Sequence, residues 1–75
     1  MSDRELTPVA EYMVETAEKE LAKAIQLMEN KQRAKAQHHL REARQFMDRT
    51  PSWYTNDEFQ QKYDHTFNVL YRGYA

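Results

Sequence analysis

His38 and His39 stand side by side in a basic stretch of this chain, and Glu42 follows His38 by four residues. In a helix, His38 and Glu42 would share a face, and imidazole and carboxylate are both metal ligands. The two histidines would project about 100° apart, so they do not readily chelate one ion together. A ligand pair leaves a site short, and His65 is a third candidate only if its own segment packs there. The chain holds no cysteine, so neither a thiolate site nor a disulfide staple is available. We therefore expect no metal, no cofactor and no catalytic residue, with His39 at the edge of a core and His38 in solvent.

Arg33-Ala34-Lys35-Ala36-Gln37-His38 has the spacing Arg-x4-His. It is similar to the helical motif of the HEPN ribonucleases, small α-helical bundles that cleave RNA as dimers. The resemblance covers those two positions, and Ala34 stands where those enzymes usually place a polar residue. It implies His38 as acid/base and Arg33 stabilising a phosphorane, with a second copy completing the site. Ala36-x3-Leu40-x2-Ala43, followed later by Pro51, also resembles the second helix of a tetratricopeptide repeat. Only one copy is present, whereas such repeats need neighbours to bury their faces, so we read it as helical-hairpin convergence.

Any such group must be held by helices. From Pro8 to Met47 there is no glycine and no internal proline, and apolar residues recur every three or four positions. Thr7-Pro8 opens the first helix, with Thr7 as N-cap and Pro8 where its missing N–H costs nothing. Its stripe reads Val9/Ala10, Met13, Ala17, Leu21, Ala24 and Met28, flanked by Val14 and Ile25, over residues 8–29. Tyr12 and Leu27 lie off its centre. Glu29-Asn30-Lys31-Gln32 is the candidate turn, with Asn30 as the left-handed C′ residue. The alternative is one unbroken helix of about 60 Å, tenable in a dimer.

A second helix over 33–48 presents Ala36, Leu40, Ala43 and Met47. Its small residues, with Ala17 and Ala24, permit a close approach of the first two helices. After the break at 50–55, Thr55-Asn56-Asp57-Glu58 reads as a capping box, with Tyr54 and Phe59 as the hydrophobic staple. The third helix then runs over 56–72, with Gly73 as its stop. The expected fold is all-α: an antiparallel hairpin plus a third, aromatic-rich helix in a small three-helix bundle, assembled alone or as a dimer.

The formal net charge of −1 hides an asymmetry. Residues 1–30 hold three Lys/Arg against seven Asp/Glu, whereas residues 31–49 hold six against two. An acidic helix beside a basic one suits a hairpin whose flanks attract, though each surface pair contributes little. Alternatively, the basic helix faces an acidic partner. The mixed-charge Met1-Ser2-Asp3-Arg4-Glu5 segment lacks the pattern of a secretory signal, and no apolar run is long enough to span a bilayer. The expected location is the cytoplasm, with no membrane contact.

Eight of the nine aromatic residues lie between Phe46 and Tyr74. Large rings filling a small core account for part of that cluster. At 75 residues a single core is marginal, and short helices do not easily cover so many rings. The surplus points to a contact surface, where Tyr and Trp supply area at small entropic cost. Single-stranded nucleic acid would need those rings in a positive groove. From residue 50 onward only Lys62 and Arg72 oppose Asp57, Glu58 and Asp64, and the other basic residues lie on a different helix.

The reading is a non-enzymatic interaction protein: a small regulator or inhibitor that docks on a larger macromolecule, as a homodimer. Trp53, Tyr54, Tyr63, Tyr71 and Tyr74 form the expected contact set, with Arg41, Arg44 and His38 as a secondary charged patch. Nucleic-acid binding through the basic second helix is the alternative, and an HEPN-like dimeric ribonuclease the more distant one.

Overall fold

The computed structural model describes residues 5–73. Three helices follow one another: α1 (Pro8–Glu29), α2 (Arg33–Met47) and α3 (Asp57–Phe67), and α3 is prolonged by a π-helical turn, Asn68–Arg72. The architecture is the expected small all-α bundle, with α1 and α2 closely packed as a hairpin.

Alanine sets that closeness. Ala17 and Ala24 of α1 and Ala36 and Ala43 of α2 are each 0 % exposed, with Leu21 and Leu40 between them. Small side chains let the two backbones approach, and the leucines fill the space above and below. Across the hairpin, His39 Nδ1 meets the Glu20 carboxylate at 3.3 Å with both side chains half-buried, so His39 sits at the edge of the core.

α3 lies along the groove of this hairpin. Phe59 shares a cleft with Leu21, Ala22 and Ile25, and one step further Thr66 lies beside Ile25 and Met28. α3 therefore runs parallel to α1 and antiparallel to α2. It contributes the buried Phe59, Thr66 and Leu70. The Thr66 hydroxyl donates to the Lys62 carbonyl at 2.7 Å, which satisfies the one polar side chain found in the core among the described residues.

The helix ends agree with the sequence at two places and differ at two. Thr7 caps α1 as expected, its Oγ1 accepting from the Ala10 amide at 3.1 Å. At the turn, Asn30 is right-handed (φ −85°) and Lys31 takes the left-handed conformation (φ 63°). The Gln32 amide donates to Leu27 O at 2.9 Å and the Lys31 amide to Met28 O at 3.0 Å, a Schellman motif that places C′ one residue later. The chain bends there, so the single long helix does not form.

α3 is capped by Asn56, whose Oδ1 accepts from the Phe59 amide at 3.0 Å. The Thr55–Glu58 capping box is absent, and Glu58 instead accepts from Lys62 Nζ at 3.0 Å. Asparagine outranks threonine at this position, and starting one residue later still keeps Asp57 and Glu58 in the first turn. The staple shifts out of register with the cap. The other end of α3 falls where expected: winding changes from α to π after Phe67, and the helical run stops at Arg72 with left-handed Gly73 behind it.

α1 is longer than α2, 22 residues against 15, so its first turns pass the end of α2. There the buried line runs through Ala10 and Val14, while Val9 and Tyr12 are 67 % and 61 % exposed. Val9 thus belongs to the surface and not to the stripe. Among the described residues, no helix is long and apolar enough to cross a membrane.

Candidate functional site

Phe59, Tyr63, Phe67 and Tyr71 recur every fourth residue and form a ladder along α3. Consecutive ring centroids lie 6.1, 6.1 and 4.6 Å apart, at interplanar angles of 19°, 25° and 26°. The spacing explains the first two steps, since side chains four apart are neighbours on a helix. The closer third step coincides with the π-turn. Its wider winding brings residues four apart more nearly into line, which swings Tyr71 over Phe67. Burial falls along the ladder: Phe59 is buried, Tyr63 and Phe67 are half-buried, and Tyr71 is 44 % exposed.

The π-turn is held from outside. Arg33 Nη2 donates to Leu70 O at 2.6 Å and Gln37 Nε2 donates to the same oxygen at 3.1 Å. The Gly73 amide closes the turn onto Asn68 O, with Gly73 in the left-handed conformation that only glycine adopts freely (φ 76°). A carbonyl in the last turn of a helix has no intrahelical partner, and two donors from α2 supply one.

Two turns earlier, the Arg44 guanidinium lies over the Tyr63 ring at 5.4 Å from the centroid, within cation–π range. Arg44 Nε also donates to Asp48 Oδ1 at 3.0 Å. Burial pushes the Tyr63 phenol above its usual range; Arg44 pulls it back, and the neighbouring Tyr71 adds to the rise. Arg44, Tyr63, Asp64, Phe67, Asn68 and Arg72 line one open groove. Arg41 is exposed and lies three residues before Arg44 and four after Gln37, so it falls on the same edge of α2.

The basic edge of α2 and the rings of α3 therefore form one seam. From the sequence, those basic residues were expected on a helix apart from the aromatics; the antiparallel packing of α3 on α2 brings them together. Arg33, Gln37, Phe67 and Arg72 belong to this surface and were not in the expected contact set. The every-fourth-residue repeat of rings signalled Phe67, whereas nothing local signals a pairing between α2 and α3.

The other expected residues are distributed as follows. Trp53 and Tyr54, both half-buried, meet edge to face with centroids 6.3 Å apart in the α2–α3 connection. The Tyr54 hydroxyl accepts from Asn56 Nδ2 at 3.1 Å, so this pair braces the α3 cap. Tyr54 and Arg44 line a second concavity with Phe59 and Asp57. His38 is exposed and lies 3.7 Å from Glu42 on the outer side of α2. Tyr74 lies outside the described residues. Of the eight clustered rings, one is buried, five are half-buried and Tyr71 is exposed, so the helices cover more of them than their number suggested.

Arg33 and His38, the HEPN-like pair, have different partners, Leu70 O and Glu42, and at five residues apart they project about 140° from one another. His65 sits against Ile25, Met28 and Glu29 of α1, away from His38. Among the described residues, no three His, Asp or Glu side chains converge on a point that could hold a metal ion. No known protein family, curated protein or solved structure matches this chain.

Proposed function

We propose that this chain is a non-enzymatic protein-interaction module, and that the α2–α3 seam is its contact surface. The observation that carries the reading is the contact of Arg44 with Tyr63 inside a ladder that ends on exposed Tyr71. Arginine and tyrosine are the residues that most often concentrate binding energy at protein interfaces. Here they are held on helices, and the clamp on Leu70 O fixes the end of the ladder before any partner arrives. Pre-ordering of that kind reduces the entropy cost of association.

Nucleic-acid binding is the weaker reading. Base stacking needs free ring faces in a positive groove. In this ladder consecutive rings stack on each other, Arg44 lies over Tyr63, and Asp48 and Asp64 stand among the arginines. Self-association is the second reading, favoured by exposed Val9 and Tyr12, three apart on the overhanging start of α1.

The test is capture of partners from cells of the native host with the full chain as bait. Tyr71→Ala removes an exposed ring, so circular dichroism should be unchanged while capture falls. Undiminished capture by Tyr71→Ala and Arg41→Ala would place the contact elsewhere. A dimeric mass found for the wild type and lost in Tyr12→Ser, with capture intact, would assign α1 to self-association.

A further inference from the structure

The charge pattern of the seam narrows what it can bind. Its cations are all arginines: Arg33, Arg41, Arg44 and Arg72. The lysines of the described residues lie elsewhere, on α1, at the turn, on the outer side of α2 at Lys35, and on α3 at Lys62, which pairs with Glu58. Arginine differs from lysine in its planar fork, which receives a carboxylate through two parallel hydrogen bonds, and in its stacking on rings. Arg44 shows both properties, donating Nε to Asp48 while its guanidinium lies over the Tyr63 ring.

The seam's own carboxylates are engaged within the chain. Asp48 is held by Arg44, and Asp64 Oδ1 accepts from Gln60 Nε2 at 2.9 Å. The seam thus carries four guanidiniums and two carboxylates, and both carboxylates, like Arg33 and Arg44, already have partners within the chain. Alongside them runs an apolar strip made by Phe67 and Tyr71.

We infer that the occupant of the seam is an acidic amphipathic peptide segment of a partner protein, with its apolar side chains against Phe67 and Tyr71 and its carboxylates on Arg41, Arg44 and Arg72. This rests on the reading of the seam as a protein contact and adds the chemistry of the partner. A phosphodiester strand carries a charge at every nucleotide and would have to pass Asp48 and Asp64. A peptide carries carboxylates only where its sequence places them, so it can match the arginines and avoid the aspartates. Complementary charge of this kind acts mainly on encounter rate and selectivity, while the rings hold the complex.

The experiment titrates the isotope-labelled full chain, followed by amide chemical shifts, with three probes: a synthetic Glu/Leu/Phe amphipathic peptide, its counterpart with every Glu replaced by Gln, and a short oligothymidylate. The acidic peptide should shift the amides of residues 41, 44, 67, 71 and 72, with affinity falling roughly tenfold in Arg41→Glu or Tyr71→Ala. Equal binding of the Gln peptide, or tighter binding of the oligothymidylate at those amides, overturns the inference. If no peptide binds and a host protein is still captured in a Tyr71-dependent way, the acidic chemistry falls and the protein-contact reading stands. If capture is also indifferent to Tyr71, both fall.

Discussion

Arg33 and the backbone of Leu70 are 37 residues apart in the chain and 2.6 Å apart in space, joined by a guanidinium–carbonyl hydrogen bond. Gln37 reinforces it, so two side chains of α2 hold the only π-helical turn among the described residues. A charge-assisted hydrogen bond contributes about 1.5–3 kcal/mol where it is shielded, and the exposure of Arg33 argues for the lower end. Arg33→Met with Gln37→Leu should therefore destabilise the chain by about 1–2 kcal/mol. Exchange of the Gly73 amide, which closes the turn, should accelerate more than exchange of the α1 amides. Equal acceleration throughout would mean the clamp contributes only to global stability.

The cap of α3 separates two residues that look interchangeable in the sequence. Asn56→Ala should cost about 0.5–2 kcal/mol, while Thr55→Ala should change stability by only a few tenths. Urea unfolding followed by circular dichroism measures both. A larger loss at Thr55 would restore the capping box.

Lys31 has a left-handed backbone, which costs an L-residue roughly 1–2 kcal/mol. Lys31→Gly removes that cost and returns part of it as unfolded-state entropy, for a net gain of about 0.5–1 kcal/mol. The melting temperature should rise by several degrees. Asn30→Gly should give no such gain, since Asn30 is right-handed. A higher melting temperature for Asn30→Gly than for Lys31→Gly would contradict the Schellman geometry.

Alkaline pH tests the burial of Tyr63. Its phenol titrates above the ordinary value of 10.0 in the folded chain, chiefly because burial disfavours the phenolate. Above that ordinary value the unfolded chain binds fewer protons at this residue than the folded one, so stability falls as pH rises. Below it both states are neutral, and Tyr63 adds no pH dependence. Tyr63→Phe should flatten the loss of stability on the alkaline side and leave the neutral range unchanged. An identical alkaline slope in both proteins would mean the phenol is as solvated as in the unfolded chain.

How much of this could be read from the residues depends on the range of the interaction involved. Thr7-Pro8 is a capping signal, and the alanine pairs Ala17/Ala24 and Ala36/Ala43 and the ring repeat of α3 express the helical period; both are local properties. They were legible. The cap at Asn56 and the bend at Lys31 were misplaced by one residue, because neighbouring residues offer nearly equal local solutions and packing selects between them. The Arg44–Tyr63 contact and the Arg33 clamp depend on how α3 is rotated and which way it runs along the hairpin. No periodicity encodes that. Arg33 was weighed for chemistry on its spacing from His38, when its long-range partner is a backbone oxygen.

The most direct measurement is the host-protein capture made with wild type, Tyr71→Ala and Arg41→Glu side by side, each first matched for helicity and melting temperature. If the seam is the contact surface, a partner is retained by wild type and released by both variants, with salt weakening its retention. Full retention by both well-folded variants would contradict it, leaving the rings and arginines of the seam as structure alone.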